Sequence, residues 1–185
     1  MKAKFILSKN IVKKQLAKCY ELADEVSYSA KTNYEVSKIL EDTNCSFSVH
    51  SQEGVNQIKN KDKIWFFAQG WNKEEIENLY HQGINSFAVD NKEDLNLLLD
   101  SNKKINLLLR MRLKESTVHT GKHFVFGFFS KDINNLIPKL RNNENILKLG
   151  VHFHRKTQNV SEWSLISELE DSLDKNTLKD LDYVN

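Results

Sequence analysis

The order of apolar runs constrains this chain more than any other feature: short runs suited to strands alternate with helical periodicities along nearly its whole length. Val12, Leu16, Cys19 and Ala23 mark a leading helix, and a first strand is expected from Val26 to Lys31. A helix over about 34–40 leads to a second strand at Phe47-Ser48-Val49-His50, after which Ser51 and Gln52 open another short helix. Ile64 to Ala68 is a nearly continuous apolar run, which predicts a strand buried on both faces. Asn72 and Glu75 have the spacing of a capping box ahead of Ile76, Leu79 and Tyr80. Ser86 to Val89 is a fourth strand, Asn91 caps a helix bearing Leu95, Leu98 and Leu99, and Ile105 to Arg110 is a fifth strand. Ile133, Leu136, Ile137 and Leu140 then mark a helix, Leu147 to His154 a sixth strand, and Leu165, Ile166, Leu169 and Leu173 a last helix. Leu181 to Val184 begins a seventh strand.

Such alternation requires crossover connections and predicts a parallel sheet, either an open doubly wound sheet or a closed (β/α)8 barrel. The strand ends favour the barrel. Lys31, His50, Asp90, Arg110 and His154 all fall at or just beyond strand C-termini, the edge where barrel enzymes gather their reactive groups. No glycine-rich dinucleotide fingerprint follows the first strand. A complete barrel takes about 250 residues, so 185 residues predict a barrel that stops short of closure, with six to seven strands in a single domain over residues 1–185.

A lysine at a barrel mouth can lose its proton through partial desolvation and attack an aldehyde, which makes Lys31 a candidate Schiff-base residue. His152 and His154 share one face of the sixth strand. As a metal pair they lack a nearby cysteine or paired carboxylate, and His119 and His123 lack the glutamate of a zinc-protease helix, so no metal is expected. The charges, 28% of residues, cancel to a net +2 without a basic run interleaved with aromatics, which excludes an obvious nucleic-acid surface and points to a small-molecule partner. Two cysteines without metal or redox spacing, no signal segment and no stretch of about 18 apolar residues predict a reduced, cytoplasmic protein that does not enter a membrane. Cys19 and Cys45 read as small buried residues, Trp65, Phe66 and Phe67 as core, and Lys59 to Lys63 as an exposed turn.

Tyr28-Ser29-Ala30-Lys31-Thr32-Asn33 resembles the Tyr-Ala-Val-Lys-Ala-Asn segment of the ornithine/diaminopimelate/arginine decarboxylase family, pyridoxal-phosphate barrel enzymes related to alanine racemase. Phe47 to Ser51, Ile64 to Gly70, Val89 to Glu93, Leu109-Arg110, Thr120-Gly121 with Phe126-Gly127, and Gly150 to Gln158 recur in the family's order. The resemblance implies pyridoxal 5'-phosphate as cofactor and Lys31 as its Schiff-base lysine. It implies His154 as the histidine stacked on the pyridine ring, Thr157 at the phosphate-contacting position, and Asp90 and Arg110 as pocket residues. The family has aspartate where Ser48 stands, alanine at His50, glycine at Lys156 and lysine at Val125. Its glycine triplet, its later acidic partner of the pyridine nitrogen and its C-terminal β domain would follow Asn185.

The implied function is decarboxylation of an amino acid of the ornithine, lysine or diaminopimelate type, in amino-acid metabolism and polyamine biosynthesis, by the N-terminal part of a full or split enzyme. The alternative is a noncatalytic relative that binds the cofactor or another protein. Open sheet edges predict a homo-oligomer or a partner chain carrying the C-terminal half.

Overall fold

The computed structural model describes residues 6–67, 70–112, 126–153 and 164–185. Its elements, in chain order, are α1 (Lys9–Tyr20), β1 (Ser27–Ser29), α2 (Tyr34–Leu40), β2 (Ser46–Val49), α3 (Gln52–Gln57), a 3₁₀ turn (Lys61–Lys63), β3 (Ile64–Phe67), α4 (Lys73–His81) and β4 (Ser86–Val89). There follow α5 (Lys92–Asp100), β5 (Ile105–Arg110), α6 (Ser130–Arg141), β6 (Ile146–His152), α7 (Leu165–Ser172), α8 (Lys175–Lys179) and β7 (Tyr183–Val184). The strands hydrogen-bond in chain order, β1-β2-β3-β4-β5-β6-β7. Two compact units divide the described residues: the first comprises those of Met1–Ala68 with Leu79–Ser86, the second those of Gln69–Asn78 with Phe87–Asn185.

In the first unit β1, β2 and β3 are parallel, with Ser29 opposite Ser48 and Val49 opposite Phe66. Strand periodicity sorts their side chains by face. Phe47, Val49, Ile64 and Phe66 are buried on one side, whereas Ser46, Ser48, Trp65 and Phe67 on the other are only half-buried. The expectation that β3 is buried on both faces is therefore corrected: its two outer aromatics are large enough to look like core by composition, yet lie on the less covered face. The leading helix is present as α1, and what differs is the burial expected for Cys19. None of the described residues of α1 is buried, and Cys19 is exposed, while Cys45 is buried as expected.

The lysine-rich stretch before β3 does more than form an exposed turn. The half-buried Lys61 ammonium donates to Val55 O and Ile58 O at 2.5 Å each, and Lys63 donates to Glu41 O at 2.9 Å and Thr43 O at 2.6 Å. These carbonyls lie at or just past the C-terminal ends of α3 and α2, where a cation also meets the negative end of the helix dipole, and Val55 O accepts from Ile58 N as well at 3.2 Å. Burial pushes the Lys61 amine below its ordinary value, and the charge of Glu41 opposes that shift.

In the second unit β5, β6 and β7 are parallel, with Leu108 opposite Gly150, Arg110 opposite His152, and Gly150 opposite Tyr183. Leu107, Leu109, Leu149 and Val151 form a buried face beneath α6, whose Ile133, Ile137 and Leu140 are buried as their spacing requires. Gly150 permits the strands to meet, because a Cβ there would lie 2.6 Å from Tyr183 O and 2.8 Å from Leu108 Cδ2. The short β7 is further tied by Arg141, whose guanidinium donates to Asp180 O and, at 2.8 Å, to Asp182, while the Asp182 carboxylate accepts from Leu149 N at 2.8 Å. The capping box is present, with Asn72 N donating to Glu75 at 2.8 Å and Glu75 N to Asn72 at 3.0 Å. The expected single last helix ends at Leu173, which is extended (φ −118, ψ 138), and α8 is a separate turn of helix. Ile166 is 69% exposed, so it marks the outer side of α7 rather than its core face.

Candidate functional site

Because the strands within each unit are parallel, the residues that follow them gather at one edge. In the first unit the ladder continues one residue past β1, where Ala30 N donates to Ser48 O at 3.0 Å. Lys31 lies in the turn that follows β1 and His50 lies just past β2, and extending Val49–Phe66 puts His50 opposite Phe67. The His50 and Phe67 rings accordingly lie 5.4 Å apart at a tilt of 39°. Lys31 and His50 are both exposed. Below them, on the same face, stand Ser27, Ser29, Ser46 and Ser48, with Ser27 Oγ and Ser48 Oγ 2.8 Å apart. At position 48, in place of an aspartate, a neutral hydroxyl is therefore satisfied by another hydroxyl.

The turn that carries Lys31 is closed by a hydrogen bond from Tyr28 OH to Asn33 O at 3.2 Å. Burial pushes the Tyr28 phenol above its ordinary value, which keeps it protonated and able to donate. This contact spans the lysine and fixes both ends of the turn.

In the second unit the corresponding edge holds Asp90, Arg110 and His152. Asp90, just after β4, accepts from Asn91 Nδ2 at 3.0 Å, while Asn91 caps α5 through Asp94 N at 2.8 Å. Arg110 ends β5 half-buried. Burial lowers its guanidinium from the ordinary value, and the charge of Asp90 works against that shift. Beside it, His152 O accepts from Met111 N at 2.7 Å, and His152 Nδ1 lies 2.5 Å from Asn185 Oδ1. The segment after the 113–125 stretch runs alongside: Phe128 N donates to Arg110 O at 2.8 Å, and Gly127 has φ +108 with its missing Cβ 2.6 Å from that same carbonyl. Only glycine tolerates both conditions, which accounts for the Phe126-Gly127 pair in physical terms.

Among the expected site residues, then, Lys31 follows β1 in one unit, and Asp90 lies near Arg110 in the other. His154 and Thr157 lie outside the described residues, as do His119 and His123. Sequence reasoning missed Asp94, a buried carboxylate that accepts from Gly70 N at 3.0 Å and Asn91 Nδ2 at 2.7 Å. Its spacing of three from the cap Asn91 was the available signal. It also missed the pairing of His152 with Asn185, for which the sequence offered none. Among the described residues no group of three or more His, Cys, Asp or Glu is placed to hold a metal ion.

A family model described as "Pyridoxal-dependent decarboxylase, pyridoxal binding domain" matches residues 8–175. Solved structures similar to this chain include the arginine decarboxylase of Paramecium bursaria Chlorella virus bound to agmatine, with a TM-score of 0.68 at 16% identity, over 93% of this chain and 48% of that one. A diaminopimelate decarboxylase from M. jannaschii in complex with L-lysine gives 0.66 at 21% identity, over 82% and 42%. The lysine/ornithine decarboxylase of Vibrio vulnificus complexed with cadaverine gives 0.61 at 19%, over 82% and 42%. The chain thus spans less than half the length of these structures. No curated protein sequence matches it. At these identities the likeness is one of fold, and the expected incomplete α/β barrel-type fold is met, with seven strands among the described residues.

Proposed function

Since the chain belongs to the pyridoxal-dependent decarboxylase family through its pyridoxal-binding domain, we propose that it forms the cofactor-binding part of an amino-acid decarboxylase, full-length or split between chains. The family's cofactor is pyridoxal phosphate, and the described residues fit it at its aldehyde end. An exposed primary amine stands just past a strand C-terminus, in a turn pinned by Tyr28. The observation that carries the reading is this placement of Lys31, within a match that covers residues 8–175.

On this reading Lys31 is the covalent attachment point, and its amine must shed a proton before it can act as a nucleophile. When bound, pyridoxal phosphate supplies an electron sink that accepts the electron pair left as carbon dioxide departs. His50 and Phe67, their rings 5.4 Å apart, line the ends of the next two strands. The Ser27–Ser48 pair keeps the floor polar without placing a fixed charge beneath it. By resemblance His154 lies against the cofactor ring and Thr157 at its phosphate, and Asp90 with Arg110 balances charge at the neighbouring strand ends. The substrate would be a small amino acid of the ornithine, lysine or diaminopimelate type, as in polyamine biosynthesis and related amino-acid metabolism. No helix among the described residues is long and apolar enough to cross a membrane, and a cytoplasmic location with a homo-oligomeric or partner chain completes the proposal.

The test is an absorbance spectrum of the purified chain with added pyridoxal phosphate, beside Lys31→Ala, followed by borohydride trapping and peptide mapping. A band that depends on Lys31 and is trapped on that residue supports the reading. Binding without trapping at Lys31 would favour a noncatalytic cofactor-binding role, and absence of any band would end both.

A further inference from the structure

Two helices carry opposite charge on faces that the chain leaves open. α1 holds Lys9, Lys13, Lys14 and Lys18 and no acidic residue, while α7 holds Glu168, Glu170 and Asp171 and no basic one. Residues three and four apart are neighbours on a helix surface, so α1 sorts into two stripes. Val12, Leu16 and Tyr20 are half-buried against the first unit, whereas Ile11, Lys14 and Lys18 are exposed on the opposite side. Leu7 and Leu22, 42% and 89% exposed, stand just outside its two ends. On α7, Leu169 is buried, while Ile166, Ser167, Glu170 and Asp171 are exposed. The exposed Asp174, N-cap of α8, follows Glu170 by four residues.

These charges are uncommitted. Among the described residues the side chains of Lys14, Lys18, Glu170 and Asp171 make no ion pair and no hydrogen bond. Ile11 is 61% exposed and Ile166 69%, so neither is covered by the described residues. The two faces also match in order. Each has an isoleucine followed one turn later by a charge, Lys14 or Glu170, and further on by another, Lys18 or Asp174. Laid side by side in the same direction, α1 and α7 bring isoleucine to isoleucine and lysine to carboxylate.

We propose that the outer face of α1 on one copy of this chain docks against the outer face of α7 on a second copy. A lipid or nucleic-acid surface would engage the lysines and repel the carboxylates, whereas a second copy uses both faces at once. The contact is heterologous: every added copy leaves one α1 face and one α7 face open, so the copies extend head to tail or close into a ring. Exposed ion pairs are individually weak, which makes the association weak and dependent on salt. None of its residues belongs to the proposed cofactor site, so it stands or falls independently of that reading.

The test is sedimentation velocity on the full chain across a concentration series. Wild type should gain mass with concentration and lose it again at about 1 M salt, where the screening length falls to about 3 Å. Lys14→Glu with Lys18→Glu should weaken association at least about tenfold, because acid then faces acid, and Glu170→Lys with Asp171→Lys should do the same. An equimolar mixture of these two variants should recover it, since each supplies the face the other now needs. All four substitutions in one chain keep the wild-type net charge and should restore self-association. Lys104→Glu, which reverses an exposed charge ahead of β5, should behave as wild type does. A wild type that stays monomeric through the series, reversed variants that associate as it does, or a mixture of folded variants that stays apart would overturn the proposal. So would binding of the monomeric chain, through Lys14 and Lys18, to vesicles of phosphatidylserine and phosphatidylcholine in equal parts, which would assign α1 to a lipid surface. The salt response of wild type requires no variant, so the outcome does not depend on any substitution being tolerated.

Discussion

Replacing Gly150 by alanine should detach β7 from the second unit. The new Cβ would lie 2.6 Å from Tyr183 O, 2.7 Å from Tyr183 Cβ and 2.8 Å from Leu108 Cδ2. Ordinary van der Waals contact begins at 3.4 Å, and the nearest obstacle is backbone, so a strand must move. β6 is fixed through its full pairing with β5, whereas β7 is only two residues long, so β7 is the part that yields. Its displacement would break the bonds Asp182 N to Leu149 O (2.7 Å), Asn185 N to Val151 O (2.9 Å) and Phe153 N to Asn185 O (3.0 Å). Three bonds at about 1 kcal/mol each give a loss of about 3 kcal/mol, within the range of about 1–3 kcal/mol for overpacking a tight site. For a chain of this size that corresponds to a fall in Tm of about 6–12 °C. Thermal melting followed by circular dichroism reads the total, and amide hydrogen exchange at Asp182, Asn185 and Phe153 reads its location. Gly70→Ala is the control: its φ is +70, but nothing lies within 4 Å of the added Cβ, so only backbone strain of about 1 kcal/mol applies. A Gly150→Ala protein that melts within about two degrees of wild type, and keeps slow exchange at those three amides, would refute the packing argument.

Two further outcomes follow from polar contacts. Lys61→Met keeps the length of the side chain and removes its two carbonyl bonds, leaving Ile58 O without this donor while Val55 O keeps its bond from Ile58 N, so urea unfolding should show a loss of about 1–2 kcal/mol. Asp182 is subject to burial, which raises its carboxyl, but the bonds from Leu149 N and Arg141 and the charges of Arg141 and Lys148 more than reverse this, leaving it below its ordinary value. A carboxyl lowered by folding stabilises the native state fully above the unfolded value of about 3.9 and loses that contribution as pH falls through the folded value. Amide protection around β7 should therefore weaken on acidification below about pH 4, and Asp182→Asn should abolish that pH dependence while lowering protection at neutral pH.

Elements whose local pattern agreed with their burial were legible in the sequence. α2, β4 and β5 occupy the residues their spacing predicts, and the caps at Ser51, Asn72 and Asn91 form because a short polar side chain sits three residues ahead of an unpaired N–H. Errors arose where a residue's type and its surroundings disagree. Trp65 and Phe67 look like interior residues and face the less covered side of β3, while Cys19 shares the spacing of the half-buried Val12 and Leu16 in α1 yet is exposed. Leu173 continues the period of α7 but adopts extended backbone, which hid the break before α8. At the candidate site, the positions of Lys31, Asp90 and Arg110 at or beyond strand ends could be read from the apolar runs that precede them. The contact of Arg112 with Phe129 could not, since it joins residues seventeen apart in the chain.

The lysine clasp before β3 has an evolutionary consequence. Lys61 and Lys63 secure two helix ends from positions at the start of a strand, while Lys31 follows the end of one and makes no hydrogen bond among the described residues. Selection for a foldable chain therefore acts on Lys61 and Lys63 and leaves Lys31 outside its reach. A lineage could exchange Lys31 in a single codon change and go on producing a well-folded protein, whereas drift at the clasp would be purged first as reduced abundance.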